Sequence, residues 1–254
     1  MSDNYAARAG IYAKAGLGDA SEDLRQRLFD KIQMEGWLGR RILELGCGIG
    51  RTACWFSMNG FRITAVDQSP AMLAQARQRA EGQGLVVDWR EADMRQMPFD
   101  TGFDLVLALD TFNELPTIRD LETVFQKANA ALQPGKMLLF DLTTLQGLAE
   151  QWGNADRVLY DDRGDLLLLV RSQYSFETMA NMRHYILYQQ MEGAWHRADE
   201  LQTVRGYALQ AVGALLQRSG FKIDQVVDPA LEPFDPTADR TGRAIFLATK
   251  ARDL

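Results

Sequence analysis

The stretch Arg41-Ile42-Leu43-Glu44-Leu45-Gly46-Cys47-Gly48-Ile49-Gly50-Arg51 constrains this chain more than any other. Leu43 and Leu45 read as a short buried strand, Gly46, Gly48 and Gly50 as a G-x-G-x-G turn, and residues 51–59 as the helix it opens into. Glycines at this spacing let the backbone take left-handed conformations and let a ligand approach closely, while the helix N-terminal amides stay free to bind it. A second apolar run, residues 61–66, ends in Asp67. A carboxylate at a strand end can accept both hydroxyls of a ribose. Strand, glycine turn, helix, strand and acid, in that order, point to a nucleoside cofactor at the switch point of a parallel sheet.

Spacing narrows the cofactor. The dinucleotide fingerprint G-x-G-x-x-G would place its third glycine at position 51, which is Arg51. Simpler roles exist for the same residues: the glycines would suit any tight strand–helix turn, and Asp67 would suit an N-cap for the helix beginning at Pro70. Cys47 within the turn reads as a small filler with no catalytic role.

E-L-G-C-G-I-G resembles the first motif of class I S-adenosylmethionine-dependent methyltransferases. Ala65-Val66-Asp67-Gln68-Ser69-Pro70-Ala71-Met72-Leu73 resembles that family's second strand and following helix, and Glu91-Ala92-Asp93-Met94 its adenine-contacting turn. Residues 103–109 resemble its fourth strand, and Leu132-Gln133-Pro134-Gly135-Lys136 the turn before its fifth. The resemblance covers roughly positions 40–142, in family order and spacing. It implies S-adenosyl-L-methionine as cofactor, and a cofactor-binding set of Glu44, Gly46, Cys47, Gly48, Gly50, Asp67, Gln68, Asp93, Met94 and Leu109. Tyr5 and Tyr12, in a leader of small residues, suit a flap whose phenols reach the bound ligand, and join that set.

The expected fold is α/β: a Rossmann-like, doubly wound, seven-stranded sheet, mostly parallel with one antiparallel strand, plus a small antiparallel β insertion as a cap. Residues 1–40 read as an N-terminal lid and a helix with capping-box character near Asp19-Ala20-Ser21-Glu22. Residues 41–142 and 207–254 form the cofactor domain, with strands at 41–46, 61–66, 85–89, 103–109, 136–141, 221–227 and 243–249. Residues 143–206 break the βαβ rhythm with hairpin signals around Asp161-Asp162-Arg163-Gly164-Asp165 and Glu192-Gly193. This insertion resembles the cap sheet of small-molecule N-methyltransferases of the glycine and amino-sugar type.

Composition bounds the partners. The net charge of −6, without any Lys/Arg run, argues against nucleic acid, whose phosphates need a basic patch. Two cysteines, Cys47 and Cys54, suit neither a metal site nor a disulfide framework. No run approaches membrane-spanning length and the first residues lack a signal peptide, so a cytoplasmic protein is expected, monomer or homodimer, with a small-molecule methyl acceptor as partner.

A sulfonium methyl is already a good electrophile, so the protein's task is to align a nucleophile behind it and exclude water. Positioning of that kind supplies roughly 7–11 kcal/mol. A general base matters little for a neutral amine and more for a hydroxyl. Asp110, Asn113, Asp141 and His184 are the catalytic candidates, the first three from loops at strand C-termini and the last from the cap. Solvated loop residues and a structural histidine are the plainer readings of the same positions. Methyl transfer to an amine nitrogen is the expected function. O-methylation of a small metabolite, or binding of S-adenosylmethionine without chemistry, are the alternatives.

Overall fold

Strand β1 (Arg41–Leu45) is buried from Ile42 onward, and β4 (Phe103–Ala108) is buried at every position. Strands apolar on both faces must lie between two layers of helices. The computed structural model describes residues 5–96, 100–237 and 241–253, so residues 1–4 of the expected lid fall outside it. Its main sheet also contains β2 (Arg62–Asp67), β3 (Asp88–Glu91) and β5 (Leu132–Thr143), with β10 (Phe221–Val227) and β11 (Arg243–Lys250) late in the chain. The strand order is β10-β11-β5-β4-β1-β2-β3. β1, β2, β3, β4 and β5 pair in parallel, and β11 runs antiparallel to both its neighbours. This is the expected seven-stranded sheet with one antiparallel strand.

Helices α1 (Asp19–Met34), α2 (Arg51–Met58) and α3 (Pro70–Gly82) cover one face, burying Leu24, Leu28, Phe29, Phe56 and Leu73 against Ile42, Ile63 and Leu105. Helix α4 (Ile118–Ala131) covers the other with the later helix Leu209–Arg218, around Phe112, Phe125, Phe140 and Phe246. Phe140 and Phe246 stack at 4.9 Å across the β5–β11 pair. Among the described residues no helix is long and apolar enough to cross a membrane.

The helix at 19 lacks the anticipated capping box. Its N-cap is Gly18, with φ of +82° and no side-chain cap. Asp19 and Glu22 instead form ion pairs with Arg51 at the start of α2. At α3 the cap is Ser69, whose hydroxyl accepts from the Met72 amide at 3.1 Å, which leaves Asp67 outside that role.

Between β5 and the last helix the chain builds a separate four-stranded sheet, β6 (Ala155–Asp161), β7 (Leu166–Ser175), β8 (Ala180–Met191) and β9 (Ala194–Arg205), antiparallel throughout. A short helical passage, α5 (Leu145–Gly147) continuing into a wider turn at Leu148–Trp152, precedes it and has no counterpart in the sequence expectation. The first hairpin closes on Asp162, whose carboxylate accepts from the amides of Gly164, Asp165 and Leu166. The last closes on Glu192 and Gly193, both at positive φ, which matches the strands' twist in a two-residue turn. The final helix, α6 (Leu209–Arg218), ends at Gly220, φ +79°.

Gly50 tests how tightly the first turn is built. Its φ is +73°, and a Cβ there would lie 2.5 Å from the Trp89 ring and 2.8 Å from the Ala76 Cβ. Gly50→Ala is expected to destabilise the protein by roughly 1–3 kcal/mol, from backbone strain and overpacking. A lowered urea midpoint at unchanged m-value would show this.

Candidate active site

The strand order reverses around β1: the chain moves from β1 to β2 and β3 on one side, then returns to β4 on the other. The crevice at the C-terminal ends of β1 and β4 is where open α/β sheets hold ligands. Its floor is the glycine turn. The Gly46 and Cys47 amides both donate to the Val66 carbonyl, at 2.8 and 3.0 Å, and the Gly48 amide donates to Asp67 Oδ2 at 2.7 Å. The other Asp67 oxygen accepts from the Ser69 amide at 2.9 Å. A carboxylate has about four acceptor sites, so this anchoring is compatible with accepting ribose hydroxyls as well.

The three glycines are not equivalent. A Cβ at Gly46 would strike Thr111 at 2.4 Å, so that glycine serves close packing between the β1 and β4 ends. At Gly48, φ +52°, a Cβ would meet nothing within 4 Å. Open space above a left-handed glycine is the cradle that close approach of a ligand to backbone requires, and the turn fits an adenosyl cofactor there. Gln68 is exposed beside Asp67, and Leu109 is half-buried just past β4. Burial pushes the Cys47 thiol well above its usual range, consistent with a filler.

Glu44, just below the turn, is buried, and burial pushes its carboxyl up to about 8 against the opposing pull of Arg25. Asp93 is engaged by its own chain: Arg95 donates to it from its amide and guanidinium, at 2.8 and 2.6–3.0 Å, and those bonds hold the carboxyl below its usual range. Met94, beside it in the same turn, packs against the core.

The candidate catalytic residues separate into distinct environments. Asn113 is a staple. Its side-chain amide donates to the carbonyls of Thr143 and Arg205, at 2.9 and 2.8 Å, and its oxygen accepts from the Thr143 amide at 2.8 Å. It thus ties together the two points where the chain leaves for the cap and returns. Asp141 is buried, accepts from the Asp110 amide at 2.6 Å and pairs with Arg243 Nε at 2.6 Å. Asp110 shares the same guanidinium at 3.0 Å and has φ +55°, an uncommon conformation for a non-glycine residue. Asp110 and Asp141 are therefore one clamped pair around Arg243, a residue whose role nothing in its local sequence signals.

His184 does not join them. Along β8 the buried positions Tyr185 and Leu187 alternate with it, and His184 pairs with Asp199 at 2.6 Å on the opposite face of the cap sheet. The inner face instead presents Tyr185, Glu200 and Gln202, with Tyr185 opposite Glu200 in register.

The leader lies between cap and cofactor domain. Ile11 packs into the inner face with Leu168, Val170, Tyr185 and Leu187, while Ala9, Tyr5 and Tyr12 pack on Ile49 and Met72 beside the glycine turn. Arg8, 1% exposed, pairs with Glu200 at 2.5 Å and stacks 3.5 Å from the Tyr185 ring centroid. The Tyr5 hydroxyl donates to Glu114, which also accepts from Gln202 Nε2 at 2.8 Å. Glu114 sits in the short helical turn Phe112–Glu114 after β4, and nothing in its local sequence marks it. A separate open groove, passing Asp156, Arg171, Tyr174 and Met182 on the cap, shares no residue with this crevice.

Residues 42–135 match the family model described as a methyltransferase domain, over the segment that carries the turn, Asp67 and β4. That segment is a methyltransferase domain of the S-adenosylmethionine-dependent type. The "Putative methyltransferase YqeM" of Bacillus subtilis (strain 168) is 26% identical over 216 residues, covering 84% of this chain and 85% of that protein. An S-adenosylmethionine-dependent methyltransferase structure from Clostridium acetobutylicum ATCC 824 superposes with a TM-score of 0.82 at 22% identity, over 96% of this chain and 98% of its own. A structure of an amino pentose methyltransferase from Micromonospora echinaspora, with S-adenosylmethionine bound, gives 0.64 at 19% identity, over 90% of each chain. These structural likenesses show that the methyltransferase fold extends through the cap.

If Asp67 accepts ribose hydroxyls in this methyltransferase, its charge-assisted hydrogen bonds are each worth about 1.5–3 kcal/mol. Asp67→Ala is then expected to weaken S-adenosylhomocysteine binding by well over tenfold by calorimetry, with the circular dichroism spectrum retained. Unchanged affinity would contradict the assignment.

Proposed function

We propose that this methyltransferase transfers the methyl group of S-adenosylmethionine to an amine nitrogen of a small molecule held beneath the cap. The observation that carries the reading is the roof itself. Cap strand β9, the leader and the turn after β4 are joined over the switch-point crevice by Arg8–Glu200 and by the Tyr5–Glu114–Gln202 cluster. A covered crevice suits a small acceptor and excludes the water that would compete with it. A solved sugar N-methyltransferase of similar fold, from Streptoalloteichus sp. ATCC 53650, supports nitrogen as the acceptor atom. Half-buried carboxyl groups around the crevice favour a cationic or hydrogen-bond-donating ligand over an anionic one.

When bound, the cofactor supplies an electrophilic methyl on a positively charged sulfur. The chain's own contribution is to position and to desolvate. The glycine turn and Asp67 hold the nucleoside end, and Asn113 fixes the root of the cap. The leader and the inner face of β8 and β9 shape the acceptor's side. In this reading acceptor choice depends on residues 5–20 and 143–206, and cofactor affinity on the turn. The reading implies no covalent enzyme intermediate, since an in-line displacement needs only alignment.

The test is a release assay for S-adenosylhomocysteine with paired acceptors that differ only in amine against hydroxyl, such as glucosamine against glucose and ethanolamine against ethylene glycol. The amine members are expected to turn over at least tenfold faster. Turnover confined to the hydroxyl members would replace N- by O-methylation.

A further inference from the structure

Glu114 stands apart from the other acids of the crevice. Asp110 and Asp141 share Arg243, and Glu200 is paired with Arg8. The donors on Glu114 are neutral: the Tyr5 hydroxyl and the Gln202 amide. Gln202 Nε2 also reaches Tyr5 Oη at 2.8 Å, so three side chains from three separate parts of the chain close one cluster. Gln202 is 9% exposed, and its Oε1 is buried with no hydrogen-bond partner among the described residues. A buried acceptor left without a donor costs about 1–3 kcal/mol and calls for an explanation. Rotating the amide does not remove the problem, because its oxygen would then face the Glu114 carboxylate. An unsatisfied amide oxygen beside a carboxylate that, among the described residues, no cation neutralises is a site for a ligand with several N–H donors.

We propose that Glu114, with Gln202 and Tyr5 beside it, is the acceptor subsite, binding a small primary or secondary amine, with Glu114 receiving the proton that the nitrogen must lose. This rests on the amine reading above and assigns it to residues. Burial pushes the Glu114 carboxyl up to about 7, against the Tyr5 and Gln202 bonds and with help from the charges of Asp110 and Asp67. A base with that proton affinity is matched to neutral pH.

The acceptor arrives mainly as an ammonium ion, since alkyl amines hold their proton up to about pH 10. One N–H proton passes to the Glu114 carboxylate and frees the nitrogen lone pair. That pair forms the new nitrogen–carbon bond as the carbon–sulfur bond breaks, its electrons remaining on sulfur. Glu114 returns the proton to solvent when the methylated amine leaves. The Gln202 oxygen accepts a second N–H and so orients the lone pair.

Glu114→Gln keeps the shape and an acceptor oxygen for Tyr5 but cannot take the proton. With the amine of the test panel that turns over best, kcat is expected to fall about 100-fold or more. The limb of the pH–rate profile near 7 should vanish, while the amine's own limb at about 10 remains. Calorimetric affinity for S-adenosylhomocysteine should be unaltered, which separates this outcome from misfolding. Gln202→Leu is expected to raise KM for the amine about tenfold and lower kcat less. Independently of turnover, carbon-13 carboxyl labelling of glutamate should show one resonance titrating near 7 that Glu114→Gln lacks. In the complex with S-adenosylhomocysteine, added n-butylamine should shift it. A Glu114 resonance titrating in the ordinary range of about 4–5 and indifferent to the amine would overturn the proposal, as would a variant that keeps both kcat and the limb near 7. Failure of the amine reading shows separately, in wild-type enzyme that methylates only hydroxyls.

Discussion

The hydrogen bond from the Gly48 amide to Asp67 is the contact on which the rest of the site depends. It joins the turn after β1 to the end of β2 and fixes where the helix-opening amides point. Together with the Gly46 and Cys47 bonds to Val66, it hangs the whole turn from the neighbouring strand. Three left-handed glycines make this possible, each for its own reason: Gly46 for contact with Thr111, Gly50 for contact with Trp89 and Ala76, and Gly48 for the open space above it. In the proposed function the carboxylate that organises the turn also receives the ribose.

Above that floor, the architecture solves a problem common to open sheets, whose crevices face water. The chain leaves the sheet after β5, builds four antiparallel strands and returns, and Asn113 binds the exit and the re-entry to the same short turn. The leader fills the gap between the two layers. Its Arg8 is almost fully buried, and the ion pair with Glu200 and the ring of Tyr185 together compensate the cost of taking a guanidinium out of water. Substituting one partner would leave the other charge buried and uncompensated.

Much of this was legible in the sequence, because local patterns encode it. The turn, the strand succession and the antiparallel insertion follow from short-range periodicity and glycine spacing, and the one antiparallel strand of the main sheet was implied by the family resemblance. Element ends shifted where packing overrode propensity: β5 starts at Leu132 rather than 136, because it pairs with Phe103 at the start of β4. What the sequence concealed was long-range partnership. Arg243 lies more than a hundred residues from the two aspartates it clamps, and Glu114 acquires its meaning from Tyr5 and Gln202. His184 drew attention as one of two histidines, yet strand alternation turns it to the outer face, away from Tyr185. Single residues of that kind acquire a role only when the fold brings their partners to them.

What the glycine turn holds decides the chemistry of the site. Isothermal titration of the full chain with S-adenosylhomocysteine and, separately, with NAD addresses it most directly. The geometry predicts one adenosyl ligand per chain, and NAD binding weaker by at least about 100-fold, since Arg51 replaces the glycine that a pyrophosphate cradle needs. Comparable affinity for NAD, or no heat of binding with S-adenosylhomocysteine, would contradict it.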